Sequence, residues 1–254
     1  MTTPKVRKIV LTTNNILEME ELIRKAGQTT TEELRGSIKT TLNNWDGCKD
    51  DAESGEVLRI QRSINNQPSE DGSWTKTTVK LFLSNNESSQ VEDAIKTVIT
   101  GLQLPRIDTV IVTPPDVSDD ATLQYLEPVW RALEEAVANG TVVDIGLADV
   151  SARLFMELYE WAEVKPSTVQ VSLSSCCMVP PELNSFAQQH DVQVLTHSDP
   201  AEIVDEDIVS TITSRLGLQG GQCQIEWIAR HRTIQQCFGL VRDKAYTLAL
   251  SCNG

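Results

Sequence analysis

The sequence has little positive charge for its length. Its 254 residues include 22 lysines and arginines against 36 aspartates and glutamates, which gives a formal net charge of −14 at pH 7. Proteins that bind nucleic acid or anionic membranes need clustered basic side chains to neutralise phosphates. The sequence therefore predicts no nucleic-acid partner and no attachment to a membrane surface.

A long apolar run is also missing. No stretch approaches the roughly 18 residues that a membrane-spanning helix needs. The N-terminal segment MTTPKVRKIVLTTNN is basic, but it has no continuous apolar core and no small-residue cleavage site of the kind found in secretory signals. We therefore expect a soluble protein located in the reducing cytoplasm.

Cysteines are too sparse for a disulfide scaffold, and no pair has the C-x-x-C spacing of a structural zinc site. The neighbours Cys176 and Cys177 cannot easily bridge each other. The simplest interpretation of this pair is two small buried apolar side chains, and a redox role is the alternative. The six cysteines are Cys48, Cys176, Cys177, Cys223, Cys237 and Cys252.

Familiar motifs for phosphate, metal and nucleophilic chemistry are absent. There is no G-x-G-x-x-G, no phosphate loop and no G-x-S-x-G, and no histidine lies in H-E-x-x-H. We predict no metal site. Cys176 and Cys177 follow the end of a predicted strand, but no base that would activate a nucleophile there is identifiable.

Regular alternation begins after Lys76. Compact apolar runs alternate with segments of helical period, which is typical of parallel strands joined by crossover helices. We predict an α/β fold with a covered parallel sheet, either a closed barrel or an open sheet. The predicted strands are residues 79–83, 108–112, 142–147, 168–173 and 192–196.

The regions on either side of this alternation have weaker patterns. Overlapping capping signals, Thr29 with Glu32 and Thr30 with Glu33, predict the start of a helix that extends to Trp45. Residues 46–76 predict a flexible acidic insertion, in which 57–64 is an edge strand or an extended loop. After His197 we predict a helix over 205–216, helical structure over 225–232, and an extended segment over 234–250 with a turn near 242–244.

The stretch from Lys80 to Pro200 resembles the aldo-keto reductases, whose (β/α)8 TIM-type barrel transfers hydride from NADPH. The resemblance rests on VKLFL, IDTVIVTPP, WRALEEAVANGTVVDIGLADV, VKPSTVQVSL and VQVLTHSDP. It implies a single barrel domain over residues 1–254. Lys80 matches the lysine of the reductase tetrad, but Thr113 stands at the position of the histidine, and the tetrad's aspartate and tyrosine have no counterpart.

The residues that hold the nicotinamide in those reductases are only partly matched. Gln170 matches, but Ala148 and Asp149 replace a Ser-Asn pair and His197 replaces the stacking tyrosine. Loss of the general acid alone costs orders of magnitude in rate. We therefore expect no catalytic residues, and no bound cofactor beyond the vestigial match at Gln170.

A closer resemblance is to the regulatory, or modifier, subunits of glutamate–cysteine ligase, a reductase-like family without reductase activity. It is carried by VKPSTVQVSLSSCCMVPPEL, HDVQVLTHSDPAEI, EELRGSIKTTLNNW and VKLFL. The resemblance implies a heterodimer with a catalytic subunit that uses ATP and Mg²⁺ in the first step of glutathione synthesis. It implies better use of glutamate and weaker feedback inhibition by glutathione.

The same resemblance suggests where the partner binds. We expect the interface in loops at the carboxyl ends of the strands together with the segment after Gln219, with Cys176, Cys177 and His197 as partner or redox candidates.

The alternative interpretation is a degenerate but active NADPH-dependent reductase, which rests on Lys80, Gln170 and the barrel pattern.

Overall fold

Two compact units make up the chain. A computed structural model describes residues 6–45, 56–61, 75–115, 121–173, 178–200, 203, 206–218, 223–236 and 238–252. One unit consists of Met1–Lys76 with Pro200–Gly254, and the other is Thr77–Asp199. The single reductase-like domain over residues 1–254 stays a prediction.

Nine strands and seven α-helices are found in the described residues. In chain order they are β1 (Lys8–Thr12), a 3₁₀ helix (Ile16–Glu18), α1 (Glu20–Ile23), α2 (Thr30–Asn44), β2 (Val57–Ile60), β3 (Thr75–Leu83), α3 (Ser88–Leu102), β4 (Ile107–Thr113), α4 (Leu123–Ala138), β5 (Val142–Ala148), α5 (Ala152–Trp161), β6 (Thr168–Ser172), α6 (Pro181–Gln189), β7 (Gln193–His197), α7 (Glu206–Leu216), β8 (Cys223–Gln235) and β9 (Leu240–Cys252).

The unit Thr77–Asp199 is a parallel sheet with crossover helices. Its strands pair in the order β3-β4-β5-β6-β7, and all four pairs are parallel. The predicted alternation of strands and helices is therefore confirmed. Apolar side chains of the strands and of one face of each helix form the core. Trp130 of α4 is part of this core, and its Nε1 donates to the carbonyl of Val164 at 3.1 Å.

Gly146 allows β5 and β6 to approach closely. It pairs with Thr168, and a Cβ at this position would lie 2.7 Å from the Thr168 carbonyl oxygen. Real Cβ atoms do not come this close to backbone, so a side chain here would push the two strands apart.

Gly146→Ala is therefore expected to lower the free energy of unfolding by about 1–3 kcal/mol, the usual cost of overpacking a core. Urea unfolding would measure the change. Gly36→Ala is the matched control, because its new methyl group would meet the movable Cδ2 of Leu22, at 2.5 Å, rather than backbone. Equal stability of Gly146→Ala and the unmodified protein would contradict this account of the glycine.

The other unit contains a mixed sheet. Its strands pair in the order β2-β1-β9-β8; β1 and β2 are parallel, whereas β1 with β9 and β8 with β9 are antiparallel. This antiparallel hairpin differs from the uniform strand–helix alternation of a (β/α)8 barrel. Two parts of the predicted insertion, residues 46–76, are described. Residues 56–61 contain β2, which lies at the edge of this sheet and agrees with the edge-strand alternative, and residues 75–76 belong to β3 rather than to an insertion. Residues 46–55 and 62–74 lie outside the described residues.

Two predictions for the C-terminal segment are wrong. Residues 225–232 belong to strand β8, not to a helix, because pairing with β9 along 13 residues outweighs a short apolar spacing that suits either structure. The turn lies between β8 and β9 rather than near 242–244. Gly239 occupies it with a positive φ of 63°, which glycine adopts without steric cost.

A disulfide between Cys223 and Cys252 joins the first residue of β8 to the last residue of β9. The two cysteines are directly opposite each other in the antiparallel register. This pair could not be predicted from the sequence, because a spacing of 29 residues matches no motif. Cys48, Cys176, Cys177 and Cys237 lie outside the described residues.

Candidate functional site

Four ionisable side chains meet at the carboxyl ends of the parallel strands. Lys80 lies on β3, Asp149 directly follows β5, His197 ends β7, and Asp199 lies two residues further on. Carboxyl ends of parallel strands share one edge of a sheet, which is where α/β proteins place their sites. We call these four residues the Lys80 cluster.

The Lys80 ammonium lies between two carboxylates. Its Nζ is 2.9 Å from Oδ2 of Asp199 and 3.5 Å from Oδ2 of Asp149. The imidazole of His197 contacts the same two residues, with Nε2 at 2.7 Å from Oδ1 of Asp149 and Nδ1 at 3.2 Å from Oδ2 of Asp199. The cluster is therefore a closed ring of alternating basic and acidic groups.

Burial makes this ring strongly coupled. The side chains of Lys80, Asp199 and His197 are only 4%, 5% and 8% exposed, whereas that of Asp149 is 26% exposed. A buried ammonium is costly unless it is paired and hydrogen-bonded, and here Asp199 supplies both. Asp149 is the member of the ring that solvent reaches.

The backbone of Asp149 is held in an unusual conformation that aims its carboxylate into the ring. Its φ is 60°, in the left-handed region, which aspartate tolerates better than most residues. Its N–H donates to the carbonyl of Gln170 on β6 at 3.1 Å. The strain is thus tied to an ordered contact, which is typical of functional sites.

His197 has a partner on each ring nitrogen. The backbone N–H of Asp199 donates to Nδ1 at 3.1 Å, so the neutral ring carries its proton on Nε2 and donates it to Asp149. Burial opposes the charged ring, but the hydrogen bonds with Asp149 and Asp199 outweigh burial and the nearby Lys80 charge, and the pKa of His197 is raised above its usual value. When the ring is charged, Nδ1 also carries a proton. It then loses the hydrogen bond from the Asp199 backbone N–H and donates to the Asp199 carboxylate instead.

This raised pKa predicts a pH-dependent contribution to stability. A group whose pKa is higher in the folded state than in the unfolded chain, where it is about 6.5 for histidine, stabilises the fold fully below that value. The contribution is then lost as the pH rises through the folded-state pKa. The stability advantage of the unmodified protein over His197→Gln should therefore be larger at pH 6 than at pH 9, measured by urea unfolding.

An NMR titration of the His197 ring checks the same prediction directly, and His197→Gln identifies its signal. The ring is expected to titrate above the usual histidine value. A titration at or below that value, or a stability advantage that grows with pH, would contradict the assigned contacts.

The remaining groups expected from the reductase pattern are placed as follows. Thr113 ends β4, and Gln170 lies on β6 beside Ala148 of β5. The Oγ1 of Thr113 and the Oε1 of Gln170 are buried and have no hydrogen-bond partner among the described residues. These two oxygens are the features of the site that its own side chains leave unsatisfied.

Tyrosine, the general acid of the reductases, is used elsewhere in this chain. The hydroxyl of Tyr125 donates to the carbonyl of Pro115 at 2.6 Å, and that of Tyr246 donates to Glu33 at 2.8 Å. The ring of Tyr159 packs edge-on against Phe186. In a reductase the matching lysine lowers the pKa of the tyrosine. In this chain Lys80 instead pairs with the carboxylates of Asp149 and Asp199.

The residues present do not fit a nicotinamide cofactor well. A carboxylate only accepts hydrogen bonds, and both oxygens of Asp149 already contact His197 or Lys80. The His197 ring, which replaces the stacking tyrosine, is fixed by the same contacts. Gln170, the one position that matches the reductases, remains compatible with an amide ligand, whereas Asp149 and His197 do not fit the nicotinamide.

Three residues of this region, Lys80, Gln170 and His197, could be identified from the sequence, whereas the roles of Asp149 and Asp199 could not. Lys80, Gln170 and His197 are brought to one edge of the sheet, whereas Cys176 and Cys177 lie outside the described residues. Asp149 was noted only as a departure from the reductase pattern, and Asp199 was not singled out. One feature of the sequence could have identified both aspartates. Each carboxylate follows a predicted parallel strand, and so lies at the same edge of the sheet as Lys80.

Two further properties hold for the residues that the structure describes. Within them, no group of three or more histidine, cysteine, aspartate or glutamate side chains is arranged to hold a metal ion. No helix in this part of the chain is both long enough and apolar enough to cross a bilayer.

Comparison with known proteins defines the class of this chain. A model of the aldo/keto reductase family matches residues 19–199, so the chain belongs to the aldo/keto reductase family. The predicted α/β fold class, of the (β/α) barrel type, is thereby confirmed. An aldo-keto reductase family 1 member A1 from Cricetulus griseus is 23% identical over 62% of this chain and 56% of its own length.

Within that class, the chain is similar along almost its whole length to proteins named glutamate–cysteine ligase regulatory subunit. The one from Homo sapiens is 31% identical over 98% of this chain and 95% of the relative. The one from Rattus norvegicus is 33% identical over 96% of this chain and 93% of the relative. The predicted family resemblance is confirmed.

Proposed function

We propose that the chain is a non-catalytic regulatory subunit of glutamate–cysteine ligase. It binds the catalytic subunit as a heterodimer, improves that subunit's use of glutamate and relieves its inhibition by glutathione. The observation that carries the proposal is the similarity to regulatory subunits over 98% of this chain. The proposal assigns the ATP and Mg²⁺ to the catalytic subunit, no cofactor to this chain, and the cytoplasm to both.

The Lys80 cluster supports the non-catalytic part of the proposal. A reductase lysine must act on a tyrosine, but Lys80 Nζ is paired with Asp199 at 2.9 Å. The charge of Lys80 is therefore already engaged by Asp199, and no tyrosine precedes Tyr125 in the sequence, where the reductases have their acid. The site is more consistent with a structural remnant than with carbonyl reduction.

Regulation by such a subunit requires that two binding events, of the subunit and of glutamate, favour each other. The size of this effect is a coupling free energy. The subunit must bind the glutamate-competent conformation of its partner more tightly than the glutathione-inhibited one. Coupling is reciprocal, so glutamate must tighten the complex by the same factor by which the subunit tightens glutamate binding. This equality gives a quantitative test of the proposal.

A second candidate is an active NADPH-dependent reductase. The unsatisfied Oε1 of Gln170 and the retained Lys80 favour it, because both positions match the reductases. It predicts measurable binding of NADPH and oxidation of NADPH with aldehydes. The regulatory proposal predicts neither at ordinary turnover.

Cys176 and Cys177 remain candidates for a disulfide to the catalytic subunit. Two thiols, one from each chain, would lose two electrons and two protons to an added oxidant, and the resulting bond would tighten the complex. Oxidised complex should be covalent and resist dilution, and the double change of both residues to serine should abolish this. An unchanged response to oxidant in that variant would end the redox hypothesis.

The proposed function is tested with purified catalytic subunit and this chain. Gel filtration with light scattering should show a heterodimer, and calorimetry should show equal coupling whether glutamate or the subunit is added first. NADPH oxidation with a panel of aldehydes is measured in parallel. Absence of a complex, or ordinary reductase turnover, would overturn the proposal.

A further inference from the structure

The outer end of the β8–β9 hairpin exposes large apolar side chains. Phe238 is 72% exposed, Leu240 is 57% exposed and Val241 is 37% exposed. The inner half of the same strand is different, because Ala245–Leu250 is almost completely buried. We call Phe238, Leu240, Val241 and Arg242 the hairpin tip.

The backbone of the hairpin tip is held in place. The Asn15 side chain donates from Nδ2 to the carbonyl of Arg242 and accepts at Oδ1 from the N–H of Lys244, both at 3.1 Å. The Arg242 guanidinium in turn donates to Oε1 of Gln235 on β8. A surface fixed in this way loses little conformational entropy when it binds a partner.

Charge distinguishes this hairpin from the rest of the molecule. Residues 223–252 contain four basic and two acidic side chains, although the whole chain has a net charge of −14. Arg232 and Arg242 are exposed. Arg242 directly follows Val241 in β9, and Arg232 pairs with Lys244, two residues further along the same strand. An exposed aromatic residue beside arginines in an otherwise acidic chain is the composition typical of an interface centre.

We propose that the hairpin tip docks onto the catalytic subunit, in an apolar pocket bordered by carboxylates. The proposal rests on the proposed function and deepens it by naming the surface. Phe238 and Leu240 would fill the pocket, and Arg232 and Arg242 would face the acidic border. The segment after Gln219, expected from sequence to contact the partner, is thereby narrowed to one end of one hairpin.

The test compares tip variants with matched exposed variants. Binding to purified catalytic subunit is measured by calorimetry for the unmodified protein and for Phe238→Ser with Leu240→Ser. Ile23→Ser and Val143→Ser are the controls, since these side chains are 58% and 41% exposed and lie away in sequence both from the tip and from Cys176 and Cys177. All variants should melt at the same temperature as the unmodified protein, because the replaced side chains are exposed.

The double tip variant is expected to bind at least ~30-fold more weakly, as hot-spot residues do, while the controls bind normally. Arg232→Glu should also weaken binding, and more at low salt than at high salt. If the unmodified protein binds and the tip variant binds equally well, the surface is wrong and the function stands. If the unmodified protein does not bind, the proposed function itself fails.

Self-association through the tip is the competing use of this surface. Light scattering of the chain alone separates the two. A monomer whose tip variants lose only the heterodimer supports the proposal. A homodimer that the tip variants abolish, with catalytic-subunit binding unchanged, overturns it.

Discussion

Asp199→Ala is expected to lower the free energy of unfolding by about 3 kcal/mol, because it leaves Lys80 buried beside a more distant carboxylate. Removing one partner of a buried ion pair costs about 3–5 kcal/mol, since the remaining charge has no comparable partner. The lower end applies here because Asp149 still lies 3.5 Å from Nζ. Urea unfolding with a linear extrapolation would measure the change.

A double-mutant cycle isolates the pair from its surroundings. Lys80→Met combined with Asp199→Ala should cost much less than the sum of the single changes, because no unpaired charge remains. Arg24→Met is the matched surface control, since Arg24 and Glu20 form an ion pair in which both side chains are 79% exposed, and it should change stability little. Additive single effects would contradict the assignment of Lys80 and Asp199 as one coupled unit.

The disulfide accounts for the second large expected effect. Cross-linking two residues 29 apart restricts the unfolded chain, and the loop-entropy model gives about 3.6 kcal/mol of stabilisation. Cys252→Ala should therefore lower the free energy of unfolding by about that amount. The loss should also loosen the ends of β8 and β9, which hydrogen exchange would detect.

Reductant provides the control for this prediction. It should lower the stability of the unmodified protein to that of Cys252→Ala and leave the variant unchanged. Mass spectrometry with a thiol-alkylating reagent should find Cys223 and Cys252 unlabelled without reductant. Disulfides are rare in a reducing cytoplasm, so labelling of both cysteines, with no effect of reductant, would contradict the bond.

The parallel half of the fold could be predicted because its patterns are local. Strands such as 108–112 are short apolar runs, and helices such as α4 repeat apolar residues every three or four positions. Both signals depend only on near neighbours in sequence. The hairpin could not be predicted in this way, because β8 is defined by pairing with β9 and its own spacing also suits a helix.

The role of Glu33, at the start of α2, also could not be predicted from its near neighbours in sequence. Thr29 with Glu32 and Thr30 with Glu33 are equivalent in sequence, but the structure uses the first pair for the capping box. Glu33 instead accepts hydrogen bonds from Lys244 and Tyr246, which lie more than two hundred residues away in the chain. Burial and the adjacent Glu33 charge raise the pKa of Tyr246 well above its usual value, so its hydroxyl stays protonated and donates to this contact.

The candidate site could be predicted only in part, for a related reason. Lys80 and Gln170 were found because their positions match the reductases, and the missing acid followed from the same comparison. The partners of Lys80 could not be read from that pattern, because Asp149 and Asp199 occupy positions where the reductases have other residues. Their role follows from the shared edge of the sheet, which only the assembled strands define.

The proposed function is that this chain regulates a ligase and does not itself catalyse a reaction. The most direct test is a glutamate titration of the catalytic subunit's ligase activity, with and without a saturating amount of this chain, at several glutathione concentrations. We predict a lower KM for glutamate and a higher glutathione concentration for half-inhibition when the chain is present. Unchanged values in a mixture that demonstrably contains the heterodimer would contradict it.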